Sequence, residues 1–139
     1  SCEMYLGGSG GTSLQKALGF EDSTENFIAY LEKAMGVRGD PEKIRLYAEG
    51  AADHFEWVRS LGVPYKDAVM LEREVVPLTD ESLLFTGNER TLEFKDVAAP
   101  VPRGHVPSHE GDFGGRMFID ALTSSLSEYV TMFIEFRKK

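Results

Sequence analysis

Two short stretches of this sequence carry residue types that could do chemistry at their spacing. The first is rich in glycine, with Gly7, Gly8, Gly10 and Gly11 leading into Thr12. Glycine buries almost no surface, so this density of glycines indicates a backbone that takes positive φ angles and closely approaches something else. That neighbour is either a ligand that accepts hydrogen bonds from main-chain amides or another segment of the protein.

The second stretch is Arg103-Gly104-His105, which lies in a proline-restrained segment ahead of the glycines at 111–115. Arginine and histidine in that setting would suit a carboxylate or a phosphate. The alternative is a surface loop whose arginine pairs with one of the 23 acidic residues. His105 and His109 have the spacing of helical metal ligands, but Pro107 between them opposes a helix, so we predict no metal site.

The other reactive side chains are predicted to be structural. His54 falls in the apolar stripe of a long helix, where a partly buried histidine is a simpler interpretation than a base. Tyr47, Phe55 and Trp57 are predicted to be core residues. Cys2 has no visible base partner, so the sequence assigns no catalytic residue.

Length and composition limit the classes of protein that remain. A chain of 139 residues is predicted to form a single domain, 1–139. The net charge of −8 argues against nucleic acid as a partner, because little positive charge is available to displace phosphate counterions. One cysteine fits a reducing compartment, and no apolar run approaches the ~20 residues that span a bilayer. A cytoplasmic protein without a membrane partner is therefore expected.

Periodicity and capping residues predict a mostly helical α+β fold. Two helices at about 23–35 and 41–61 begin at capping residues, carry apolar stripes and are expected to form an antiparallel pair. A third helix is predicted at about 116–129, followed by a C-terminal strand over 130–136, where β-branched and aromatic residues are frequent. Residues 83–94 have the pattern of a β-hairpin that turns near Gly87-Asn88-Glu89.

The remaining segments give weaker signals. Short strands are predicted at 69–71 and 75–78, and an extended segment without regular ladders at 98–109. The apolar patch Leu14, Ala17, Leu18 predicts one helical turn that Gly19 ends.

Several sequence blocks resemble FAD-dependent oxidoreductases of the fumarate reductase and 3-ketosteroid dehydrogenase group. The blocks keep the order and spacing of that family and cover most of residues 3–122. They are Glu3–Thr12, Gln15–Ala17, Gly19–Ser23, Lys43–Gly50, His54–Trp57, Leu61–Tyr65, Thr86–Glu89, Pro102–His105 and Gly114-Gly115.

The resemblance implies two sets of site residues. Family members place the residues that match the glycine loop beside the flavin, where main-chain amides and a threonine hydroxyl donate hydrogen bonds. The cofactor-binding residues it implies here are Gly7, Gly8, Gly10, Gly11 and Thr12. The substrate-binding residues it implies are Arg103, Gly104 and His105. The alternative for the loop is a flexible segment with no ligand.

The resemblance also implies that this chain is an internal piece of such an enzyme. Family members hold the FAD pyrophosphate with a G-x-G-x-x-G turn, and neither that turn nor the later catalytic domain is visible here. One expectation is a segment related to enzymes that move hydride between FAD and a carbon–carbon bond next to a carbonyl or carboxylate. It would then be inactive alone, or would need a partner chain that carries the dinucleotide-binding unit. The other expectation is a non-enzymatic remnant that forms a homodimer through its helix pair.

Overall fold

The computed structural model describes residues 6–7, 9–73, 79–85, 87–109 and 114–136. Within these ranges the chain forms the predicted α+β fold, which is mostly helical. The helices are α1 (Ser13–Ala17), α2 (Thr24–Met35), α3 (Pro41–Ser60), α4 (Leu92–Lys95) and α5 (Gly114–Phe136). The strands are β1 (Leu6–Gly7), β2 (Val69–Arg73), β3 (Leu83–Phe85) and β4 (Gly104–His105).

The predicted helix pair is confirmed as α2 and α3. The Ser23 hydroxyl caps α2 by accepting a hydrogen bond from the Asn26 amide at 3.1 Å. Asp40 caps α3, with Pro41 at its first position, and Gly36 ends α2 with a positive φ of 54°. Phe27 of α2 packs in one buried cluster with Ala48 and Ala51 of α3, and these small residues let the two helices approach closely.

The buried face of α3 is narrower than predicted. Its buried residues recur at alternating intervals of four and three, and they are Ile44, Ala48, Ala51, Phe55 and Val58. Phe55 is thus a core residue, as predicted. Tyr47 and Trp57, however, remain about half exposed, and His54 is exposed beside Trp57 with the ring centroids 5.5 Å apart. They lie on the flanks of the buried stripe of the twenty-residue helix α3, where they stay in contact with solvent.

The described strands form one small mixed sheet in the order β1-β4-β3-β2. β2 and β3 run parallel, whereas β4 is antiparallel to both of its neighbours. Gly104 and His105 therefore pair on both sides, which corrects the prediction that residues 98–109 form no ladder. The predicted strand at 69–71 is confirmed within β2, and the one at 75–78 lies outside the described residues.

Two predicted strands are helical in the structure. The first arm of the predicted 83–94 hairpin is strand β3, but the second arm is α4. A turn precedes α4, closed by a hydrogen bond from the Thr91 amide to the Asn88 carbonyl at 2.9 Å. The predicted C-terminal strand is wrong as well, because α5 continues through Phe136. Adding a residue to an existing helix is easier than starting a new element, and this outweighs the strand preference of single residues.

One buried cluster joins helices to the sheet, and a second joins two helices to each other. Leu14, Phe55 and Leu83 connect α1, α3 and β3, and all three are fully buried. Val58, Val63 and Phe118 hold the first turns of α5 against the end of α3. Among the described helices, none is both long and apolar enough to cross a membrane.

Candidate functional site

The glycine loop is closed against the start of α2. Gly10 and Gly11 have φ angles of 79° and 89°, which side-chain-bearing residues rarely adopt. A Cβ atom on Gly11 would lie 2.9 Å from the Asp22 carbonyl oxygen, and one on Gly10 would lie 3.3 Å from the Thr24 hydroxyl. The close neighbour that leaves no room for a side chain at these two positions is therefore another part of this chain.

The main-chain amides of this loop donate to side chains of the same protein. The Gly11 and Thr12 amides both donate to Oε1 of Gln15, at 3.2 and 3.1 Å. The Gly10 amide donates to Oδ2 of Asp22 at 3.3 Å. Gln15 in turn donates through Nε2 to the Pro102 carbonyl at 2.9 Å, which ties the loop to the segment before β4.

A buried ion pair lies beneath the loop. Arg103 places Nη2 3.0 Å from Oδ1 of Asp22 and Nε 3.2 Å from Oδ2, and the two side chains are 4% and 0% exposed. Ser9 completes the group, because its hydroxyl donates to Asp22 and accepts from Nε of Arg103. Burial by itself would raise the pKa of Asp22, but hydrogen bonds and the charge of Arg103 outweigh it and lower the pKa.

The guanidinium of Arg103 also lies over an aromatic ring. Its Cζ atom is 4.7 Å from the ring centroid of Tyr30, within the range of a cation–π contact. Within the described residues, Nη1 of Arg103 is buried without a hydrogen-bond partner. The ion pair and the ring contact together hold the guanidinium plane in one orientation.

His105 is fully buried on the other side of the loop. Its Nδ1 atom lies 3.2 Å from the Arg103 carbonyl, and its Nε2 atom lies 2.9 Å from the Thr12 hydroxyl. Because a carbonyl only accepts, Nδ1 carries the proton and Nε2 accepts from Thr12. Burial lowers the pKa of His105 to about 4, so the ring is neutral near pH 7.

The structure thus unites residues from both predicted sites in one buried cluster. We call the following set the loop clamp: Ser9, Thr12, Gln15, Asp22, Arg103 and His105. Gly104 pairs with Gly7 in the β1–β4 ladder, and Gly8 lies outside the described residues. Arg103 does pair with an acid, as one interpretation predicted, but it does so in the interior and not on a surface loop.

Sequence reasoning missed Asp22 and Gln15 as members of this cluster. Asp22 directly precedes α2, where Ser23 alone provides the cap. The sequence does contain a signal for Asp22. Asp22 and Ser23 are both capping residues, and because a helix start needs only one of them, the other is available for another partner. Gln15 completes a capping box with Thr12, a signal visible in the sequence as Thr followed by Gln three residues later.

Comparison with solved structures finds an extensive match. The crystal structure of a 3-ketosteroid-Δ4-(5α)-dehydrogenase from Rhodococcus jostii RHA1, in complex with 4-androstene-3,17-dione, matches 91% of this chain. The TM-score is 0.81, and the sequences are 39% identical. This chain belongs to the 3-ketosteroid dehydrogenase-like flavoprotein family.

The match to this flavoprotein is extensive for the chain but partial for the enzyme. It covers 27% of the Rhodococcus protein, so this chain spans about a quarter of that relative. No protein-family model matches the chain, and no match was found among curated proteins. Within the described ranges, no group of three or more His, Cys, Asp or Glu side chains is arranged to hold a metal ion.

The flavoprotein family uses FAD. The hydrogen bonds of the loop clamp show which donors of the glycine loop already have a partner within the chain. The Gly10, Gly11 and Thr12 amides already donate inside the chain, and the Thr12 hydroxyl already donates to His105. In this structure these donors are therefore engaged within the chain, and they tie the glycine loop to Gln15, Asp22 and His105. Contact of the glycine loop with a flavin stays a prediction from the resemblance.

Proposed function

We propose that this chain supplies part of the FAD-binding region of a flavin-dependent, ketosteroid dehydrogenase-like oxidoreductase. The whole enzyme would transfer hydride between FAD and a carbon–carbon bond next to a carbonyl or carboxylate. The observation that carries this proposal is the structural match at 39% identity over 91% of the chain. Because the match covers only 27% of the Rhodococcus enzyme, we propose that this chain is not active alone.

Within that region, we assign the loop clamp a positioning role. The charge of Arg103 is neutralised by Asp22, and His105 is uncharged near pH 7, so neither offers a free cation to a carboxylate. Both are buried within the described structure. Their effect on the cofactor or substrate would act through the placement of β1 and β4. Direct substrate binding by Arg103, Gly104 and His105 remains a prediction from the resemblance.

A segment exchange tests this function. The matching segment of the Rhodococcus dehydrogenase is replaced by this chain, and the purified hybrid is assayed for bound flavin and for oxidation of a 3-ketosteroid. We expect the hybrid to retain flavin and measurable activity. An Asp22→Asn hybrid should lose flavin, because its clamp is broken, whereas Asp120→Asn, at an exposed pair on α5, should not. A folded hybrid without flavin would contradict the proposal.

A non-enzymatic role has one observation in its favour. Several large apolar or aromatic side chains on the helix pair are about half exposed or more, and they include Met35, Leu46, Tyr47 and Trp57. Such a surface favours association with another protein, and a homodimer or a partner chain with the dinucleotide-binding unit would each cover it. Sedimentation of the wild type against Leu46→Glu tests the dimer. A monomer at all concentrations would contradict it.

A further inference from the structure

An apolar groove lies where the end of α2 meets the start of α3. Its volume is about 460 Å³, which falls within the range of small-molecule sites. We call it the hairpin groove, and its lining residues are Leu31, Met35, Arg38, Asp40, Lys43, Ile44 and Tyr47. None of them belongs to the loop clamp, so the groove is not explained by the proposed function.

The walls of the groove are suited to an apolar body. Leu31 and Met35 lie one turn apart on α2, and Ile44 and Tyr47 lie three residues apart on α3, so both helices contribute aligned side chains. Ile44 is 7% exposed, whereas Met35 and Tyr47 are about half exposed. The groove therefore has a buried floor and a rim that solvent reaches.

The charged residues of the groove differ in whether they form an ion pair. Asp40 uses Oδ1 to cap α3 through the Glu42 and Lys43 amides, and its Oδ2 lies 3.5 Å from Nζ of Lys43. Arg38 forms no ion pair within the described ranges. One cation therefore remains unneutralised beside an apolar groove, in a chain whose net charge is −8.

We propose that the hairpin groove binds a monoanionic amphiphile, such as a medium-chain carboxylate. Its apolar chain would lie against Leu31, Met35 and Ile44, and its head group would pair with Arg38. Charge complementarity selects this class. A neutral apolar molecule would form no ion pair with Arg38, and a cation would be repelled by Arg38.

Methyl NMR of the whole chain with three ten-carbon ligands tests the proposal. Decanoate, decanol and decyltrimethylammonium share one apolar chain and differ in head-group charge, and each is kept below the concentration at which it forms micelles or separates from water. We expect saturable shifts of the Met35 and Ile44 methyl signals with decanoate and weaker binding of the other two ligands. Equal affinity for all three, or shifts that avoid both methyl groups, would overturn the proposal.

Two matched variants test the head-group contact. Arg38→Gln should weaken decanoate binding about threefold to fivefold, as expected for one exposed charge pair. Arg45→Gln is the control, because Arg45 lies on α3 outside the groove and pairs with Glu49 at 3.8 Å. Equal affinities for the two variants would contradict the assignment of Arg38. Shifts that depend on protein concentration alone would show that a second copy covers the groove, and that would also overturn the proposal.

Discussion

Replacing Asp22 by asparagine tests the loop clamp most sharply. The substitution keeps the size of the side chain but removes the charge that pairs with Arg103 at 3.0 Å. The Arg103 side chain is 4% exposed, so water cannot replace the lost partner. An uncompensated charge in the interior is costly, and we therefore expect a large loss of stability.

The size of the loss follows from the burial of the pair. Breaking a buried ion pair on one side costs about 3–5 kcal/mol, out of a total stability of about 5–15 kcal/mol for a domain. Asp120→Asn is the matched control, because Asp120 pairs with Arg116 at 2.9 Å on the surface of α5. An exposed pair contributes about 0–1 kcal/mol. Urea denaturation at pH 7 measures both variants against the wild type.

The pH dependence of Asp22→Asn gives a second, independent signature. The pKa of Asp22 is lowered in the folded state, so the carboxylate stabilises the fold at pH values above its ordinary pKa of 3.8. That contribution is lost as the pH falls through the lowered value. The stability gap between wild type and Asp22→Asn should therefore be constant near neutrality and should shrink in strong acid.

Two results would refute this reasoning. The first is an Asp22→Asn variant as stable as Asp120→Asn. The second is a stability gap that does not change with pH down to strong acid. A double variant, Asp22→Leu with Arg103→Met, should recover much of the loss, because removing both charges leaves no unpaired ion in the interior. No recovery would show that the pair does not act as one unit.

Two further predictions concern the loop and its histidine. Gly11→Ala should lower stability by about 1–3 kcal/mol, because its φ of 89° is strained for alanine and the Cβ atom meets a backbone carbonyl at 2.9 Å. Gly19→Ala, with a φ of 77° but open space around the Cβ, should cost less in the same urea assay. Because the pKa of His105 is lowered from 6.5 to about 4, its neutral ring stabilises the fold above pH 6.5, and this contribution should fall progressively as the pH drops toward 4. A His105 ring that titrates near pH 6.5 by NMR would contradict its burial.

Local signals in the sequence were sufficient for the helix pair. Ser23 and Asp40 begin their helices, and Gly36 separates them, because capping and positive φ depend on residues only a few positions away. The fold class followed from the same signals. The resemblance that the glycine blocks carry was confirmed by the match to the Rhodococcus enzyme.

Features that depend on contacts between residues far apart in the sequence could not be predicted from these local signals. The clamp joins Asp22 to Arg103 and Thr12 to His105, residues more than eighty positions apart. The strand preference of residues 130–136 was outweighed by continuation of α5, which a propensity for single residues does not capture. The exposure of Trp57 likewise depends on what packs against α3 and not on its spacing.

The most direct test of the central claim is a titration of the isolated chain with FAD. The claim is that the glycine loop is held by side chains of this protein and not by the cofactor. We expect no flavin to remain after desalting, and the amide NMR signals of Gly11 and Thr12 to stay unchanged when FAD is added. Flavin retained in proportion to protein, with shifts of those two amides, would contradict the account.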